Sequence, residues 1–149
     1  MNNVSEPCPH PPASFHHEAD PDPFLSSLAC LADRTAISIP ITLNIAGMFV
    51  TGDLASARDY FAAVGDEFAN ASPQFDSKTR DAIRAAFQPP PTTTDDPSQD
   101  TSPPPTHIYL KNATFALPGQ PVPHTNRPIW WRGRLSCVQG FVLGRLGEP

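Results

Sequence analysis

No run of apolar residues in this chain is long enough to cross a bilayer. The longest candidates, ISIPITLNIAGMFV and SCVQGFVLGRL, are broken by proline, glycine and polar residues, and the N-terminus has neither a basic region nor an apolar run of the secretory kind. A soluble, cytoplasmic protein that does not enter a membrane is the expectation. Cysteine is scarce as well: Cys8, Cys30 and Cys137 form an odd set without CxxC spacing, which argues against a disulfide framework and a structural zinc site. Without secretion, the Asn-x-Ser/Thr matches at Asn3, Asn70 and Asn112 carry no weight. The sequence also lacks a glycine-rich phosphate loop, a GxSxG elbow and an HExxH helix. Cys8, His10, His16 and His17 could catch a metal, but on a disordered tail their spacing is a weak signal, and His107 and His124 read as surface residues. Asp95, Asp96 and Asp100 read as solvated charges in a linker rather than paired catalytic carboxylates. No catalytic residue, no metal and no cofactor is expected, and the function class is not enzymatic.

What the chain has in abundance is proline, unevenly placed: six of the twenty fall in 1–23 and seven in 89–105. Both stretches are polar and too poor in large apolar side chains to offset the entropy of ordering their backbone. The composition therefore predicts a disordered tail over 1–23 and a single domain over 24–147, interrupted by a disordered linker at about 89–105. About a hundred residues remain, enough for one modest core.

Within that domain, Asp22-Pro23 supplies a helix cap and a first-turn proline ahead of FLSSLACLAD, where Phe24, Leu28 and Leu31 share a side. In SIPITLNIAGMFVTGDL the period changes to two. Ile39, Ile41, Leu43 and Ile45 alternate with polar or small residues, Gly47 marks a turn, and a second strand runs from Met48 to Leu54. A helix capped by Ser56 follows, with Ala57, Phe61, Val64 and Phe68 as its stripe, and a further helix is capped by Ser77. After the linker, HIYLKNATFAL reads as a strand with Ile108, Leu110 and, if the alternation continues, Asn112 on one face and Tyr109, Lys111, Ala113 and Phe115 on the other. The fold class expected is α+β: a small, mainly antiparallel sheet or partly closed β-barrel with packed helices.

Charge is segregated. Residues 1–100 carry fourteen acids and five bases, whereas 101–147 carry five bases and no acid. Four of those bases stand in RPIWWRGRLSCVQGFVLGRL, residues 127–146, which also holds both tryptophans. Its glycines at 133, 140 and 144 disfavour a helix, so a strand pair is expected. Alternation puts Trp131, Gly133 and Leu135 on one face and Trp130, Arg132, Arg134 and Ser136 on the other. Trp130, Arg132, Arg134 and Arg145 are thus the candidate protein-interaction residues. Two readings compete with a docking face: an arginine packed over an indole for stability alone, and a small barrel binding single-stranded nucleic acid. A sequence pI near 5.4 makes nucleic acid an unlikely partner.

ITLNIAGMFVTGDLASARDYFAAVGDEF, HIYLKNATFALPG and PIWWRGRLSCVQGFVLGRL, in that order, resemble the gas vesicle accessory protein GvpU family over roughly 36–70 and 106–146. The WWRGRLSCVQGFVLG segment is the specific part. The resemblance implies a non-enzymatic accessory protein of the gas vesicle, associated with the vesicle in the cytoplasm. Its partners would be the vesicle shell protein, other accessory proteins, or further copies of itself, in vesicle assembly or clustering. The proline-rich tail and linker lie outside the family's pattern.

Overall fold

In the computed structural model, residues 20–89, 103–120 and 129–147 are described. Most of the expected tail and linker, with Cys8, His10, His16, His17 and His124, lies outside them. Asp22 does cap the first helix, α1 (Pro23–Arg34): its Oδ1 accepts from the amides of Phe24 and Leu25, both at 2.9 Å. The hairpin follows as β1 (Pro40–Ile45) and β2 (Met48–Ala55), joined by a two-residue turn in which Ala46 and Gly47 both have positive φ. That geometry matches the right-handed twist of the strands it joins. Ser56 caps α2 (Ala57–Ala69) by accepting from the Asp59 amide. The Ala57 amide donates in turn to Asp33 at 2.6 Å, tying the end of α1 to the start of α2. Asp76, not Ser77, caps α3 (Ser77–Ala86), its carboxylate accepting from the Thr79 amide.

The remaining strands are β3 (His107–Ala116), β4 (Trp131–Arg134) and β5 (Gly140–Leu143), with a short 3-10 turn over Leu135–Cys137 between the last two. All five strands pair antiparallel in the order β4-β3-β2-β1-β5. The α+β expectation holds. Closure into a barrel does not: β4 and β5 are the two edges of an open sheet. A short connection that includes the 3-10 turn joins these two edges.

The core lies between α1 and one face of this sheet. Leu25, Ala29 and Ala32 of α1 meet Ile41, Leu43, Val50, Leu54, Ile108, Leu110, Ala113 and Leu135, all buried. Of the expected helix stripe only Leu28 packs against this core, half-buried, and the buried line runs one position further on. Alanines face the strands, where they permit close approach, while Phe24 and Leu31 remain exposed. The stripe of α2 is corrected too, because that helix covers only part of the opposite face. Phe61 and Val64 are half-buried, and Phe68 is exposed beside Phe87, at 5.7 Å between ring centroids.

The alternation expected along β3 breaks at Asn112. Thr51 pairs with Thr114 and Asp53 with Lys111, so Asn112 and Ala113 together oppose the single Gly52. Such a bulge reverses the facing of every later residue. Ala113 turns into the core and Phe115 packs against it, whereas Tyr109 and Lys111 stay on the opposite face. Asn112 adopts φ 53°, a left-handed conformation that asparagine tolerates better than most residues.

Candidate functional site

Strand β4 is laid against β3 in a register that pairs Leu110 with Trp131, Tyr109 with Arg132, Ile108 with Gly133 and His107 with Arg134. Period-two alternation then decides what each residue does. Trp131, half-buried, packs against the core and Leu135 is fully buried, while Arg132 and Arg134 stand exposed on the opposite face. Gly133 is needed here because the Trp131 ring folds across it: a Cβ at 133 would come within 2.6 Å of Trp131 Cζ2. The core strand and the charged face are thus two sides of the same four residues.

Arg132 does not stack on an indole. Its guanidinium lies over the rings of Phe61 and Tyr109, 5.9 Å from each centroid. Those rings belong to a cluster in which Tyr60 meets Tyr109 at 5.1 Å, Phe61 at 5.3 Å and the half-buried Trp130 at 6.2 Å. The cluster is what fastens α2 to the outer face of the sheet. Sequence reasoning gave Phe61 a place in the helix stripe but missed the parts of Tyr60 and Tyr109. The alternation that put Tyr109 on the arginine face was the available signal.

His107, read from sequence as a plain surface residue, belongs to this face. Burial holds its imidazole below the usual histidine value, and the positive charges of Arg132 and Arg134 push the same way. Its Nδ1 lies 2.9 Å from Thr106 Oγ1. The lowered value favours the neutral ring in the fold, while the unfolded chain takes up a proton near pH 6.5. The unfolded state therefore binds more protons below that pH, and this contribution to stability is lost as the pH falls from about 6.5 through the lower folded value. Melting temperatures between pH 7.5 and 5 are expected to fall less steeply for His107→Gln than for the parent chain. Equal slopes would show that neither burial nor the two arginines lowers this imidazole in the fold.

The structure seats Arg145 elsewhere. After Gly144, the chain crosses the outer face of the sheet, where Thr42 donates to the Gly144 carbonyl at 2.9 Å and the Leu146 amide donates to Thr51 Oγ1 at 3.2 Å. The Arg145 guanidinium forms a two-point ion pair with Asp53, with Nε 3.2 Å from Oδ1. Asn112 of the bulge donates to the same carboxylate at 3.1 Å. Asp53 lies on β2, two strands from β4. Arg145 thus serves as the clasp of the C-terminal segment, and of the four candidate residues only Trp130, Arg132 and Arg134 are brought together.

Among the described residues, no group of histidine, cysteine and acidic side chains could hold a metal, and no helix is long and apolar enough to cross a membrane. The family described as gas vesicle protein GvpU-like matches residues 22–146, from the cap of α1 to the end of the C-terminal clasp. No curated protein and no solved structure matches the chain.

Proposed function

The chain belongs to the GvpU-like family of gas vesicle proteins, and from that premise we propose that it is a non-enzymatic accessory module whose arginine face docks acidic segments of vesicle components. The supporting observation is the juxtaposition of Arg132 and Arg134 on one exposed face, rigidly backed by a core strand. Arg132 is preorganised by the rings beneath it, which lowers the ordering cost of binding. The acidic segments would come from the shell, another accessory protein or a further copy of this chain, whose own acids lie in its first hundred residues. Nucleic acid is the weaker reading. Tyr60, Phe61 and Tyr109 spend their surfaces on one another, and the chain carries a net charge of −5.

The experiment is co-flotation of the full chain with purified gas vesicles across a salt series, with a single-stranded RNA titration in parallel. Binding that weakens from low to high salt is expected, because exposed charge pairs are screened. No flotation at any salt, or tighter binding to the RNA than to vesicles, would overturn the proposal.

A further inference from the structure

On the outer face of the sheet, β3 and β4 set two cross-strand pairs side by side, His107 opposite Arg134 and Tyr109 opposite Arg132. Directly opposed side chains start about 5 Å apart at Cβ, and diagonal neighbours about 7–8 Å apart. The imidazole of His107 is therefore within reach of what Arg134 holds and, on the diagonal, of what Arg132 holds. Arg132 rests on the Tyr109 ring, and His107 Nδ1 is kept 2.9 Å from Thr106 Oγ1. A hydroxyl both donates and accepts. Thr106 can donate to a neutral ring and accept from a charged one, so protonation of His107 breaks no bond. The charged ring then donates at both nitrogens, from Nδ1 to Thr106 and from Nε2 to a further acceptor.

The charges around this position decide when the proton is taken up. Arg132 and Arg134 face it from β4, and Lys111 lies on the same face four positions along β3. On β2, Asp53 stands opposite Lys111 and is already held by Arg145 and Asn112. The first turn of α2 carries one charge of each sign, Arg58 and Asp59, both exposed, and the next residue, Tyr60, packs on Tyr109. Helix α1 covers the other face of the sheet. After burial, the charges that act on His107 are those of Arg132 and Arg134. Without a bound anion they oppose protonation, and the ring is neutral near pH 7. A carboxylate seated against the guanidinium groups reverses this balance, because it offsets their charge and sets a negative one beside the ring.

We infer that His107 is a third recognition residue of the arginine face, and that it takes up a proton as an acidic segment docks, so that docking tightens in mild acid. The inference rests on the reading of Arg132 and Arg134 as a docking surface. Linkage makes the effect reciprocal: a ligand that favours the protonated ring is itself bound more tightly where protons are abundant. The partner's aspartates and glutamates ionise near pH 4, so between about pH 7 and 5 their charge changes little while that of His107 changes. The sign is opposite to that for stability. Through this one residue, acid weakens the free fold and strengthens the complex.

The test is the affinity of the full chain for a synthetic oligoglutamate peptide at constant low ionic strength, from about pH 7.5 to about 5.5, with circular dichroism at each pH. One added, partly exposed charge is worth about two- to fivefold in affinity, and tightening by that factor is expected on the acid side. Calorimetry in two buffers of different ionisation enthalpy is expected to show net uptake of protons on binding. The chain has five histidines, of which His107 alone lies among the described residues. His107→Gln therefore assigns the proton, since that variant is expected to lose both the acid gain and the uptake. Equal affinity across the range, no proton uptake, or a folded His107→Gln variant that keeps the acid gain would each overturn the inference and leave the arginine face standing. No binding of the peptide at any pH overturns the inference too, and if vesicles also fail to float the chain, the arginine face falls with it. Should His107→Gln not fold, the parent chain decides by NMR: the His107 ring is expected to titrate at higher pH with the peptide bound than without it, and an unmoved titration overturns the proposal.

Discussion

Leu135→Ala is expected to cost about 2–5 kcal/mol, the range for removing a large side chain from a packed core. Leu135 is fully buried at the point where β4 turns into the 3-10 segment. Its amide donates at 3.0 Å to the carbonyl of Thr106, the residue just before β3. One residue thus closes the core and joins the C-terminal segment to the sheet. For a domain of this size each kcal/mol is worth about 4–8 °C in melting temperature, so a drop of roughly 10 °C or more is expected. A small shift for Leu135→Ala would mean that the C-terminal segment packs loosely and that the arginine face has no rigid backing.

Gly133→Val is the second large effect, and it acts through a ring. The side chain would be built into the space that the Trp131 indole occupies, so either the indole swings away from the core or the strand shifts. Overpacking of this kind costs about 1–3 kcal/mol, and the lost burial of Trp131 adds to it. The expected observation is a lowered melting temperature with a red-shifted tryptophan emission as the ring gains water. Combining Gly133→Ala with Trp131→Leu should cost less than the sum of the two single changes, since the smaller side chain leaves room for the new methyl group. Additive costs would show that ring and glycine do not share that space.

Much of this arrangement could be read from residues alone, where the signal was local. Asp22 with Pro23, the Gly47 turn and Ser56 each act within a few positions of themselves, and each does in the structure what its chemistry suggests. The two-sidedness of Trp131-Arg132-Gly133-Arg134 was equally legible, because strand alternation is a local rule. What escaped the sequence were choices made by distant partners. Which side of α1 is buried depends on how near the sheet lies, and Ala29 and Ala32 let it lie close. Hydrophobic size pointed to Phe24 and Leu31 instead. The bulge at Asn112 depends on the register of β2, and it moved Ala113 and Phe115 to the face opposite the expected one. Arg145 looked like part of a basic patch, yet Asp53, ninety-two positions away, claims it.

The aromatic cluster shows the same limit at the site itself. Tyr60 and Tyr109 are forty-nine positions apart, and no periodicity joins them. Only the docking of α2 across β3 makes them a floor for Arg132. That floor also modifies what a substitution at Arg132 should do. A cation over two partly exposed rings contributes about 0.5–1 kcal/mol, so its removal has a small cost in stability as well as an effect on binding. Arg134 stands exposed on the same face, opposite His107 of β3, and its substitution is read beside that of Arg132.

The most direct test of the docking face is therefore co-flotation of Arg134→Ala, and of the Arg132→Ala/Arg134→Ala pair, with purified gas vesicles at low salt, each variant melted in parallel. The account expects Arg134→Ala to bind more weakly at a cost in melting of no more than a few degrees. The pair should lose binding almost entirely, at a cost in melting of only a few degrees. Undiminished flotation of the double variant, or early unfolding of Arg134→Ala alone, would contradict it: the arginines would then hold the fold together rather than present it to a partner.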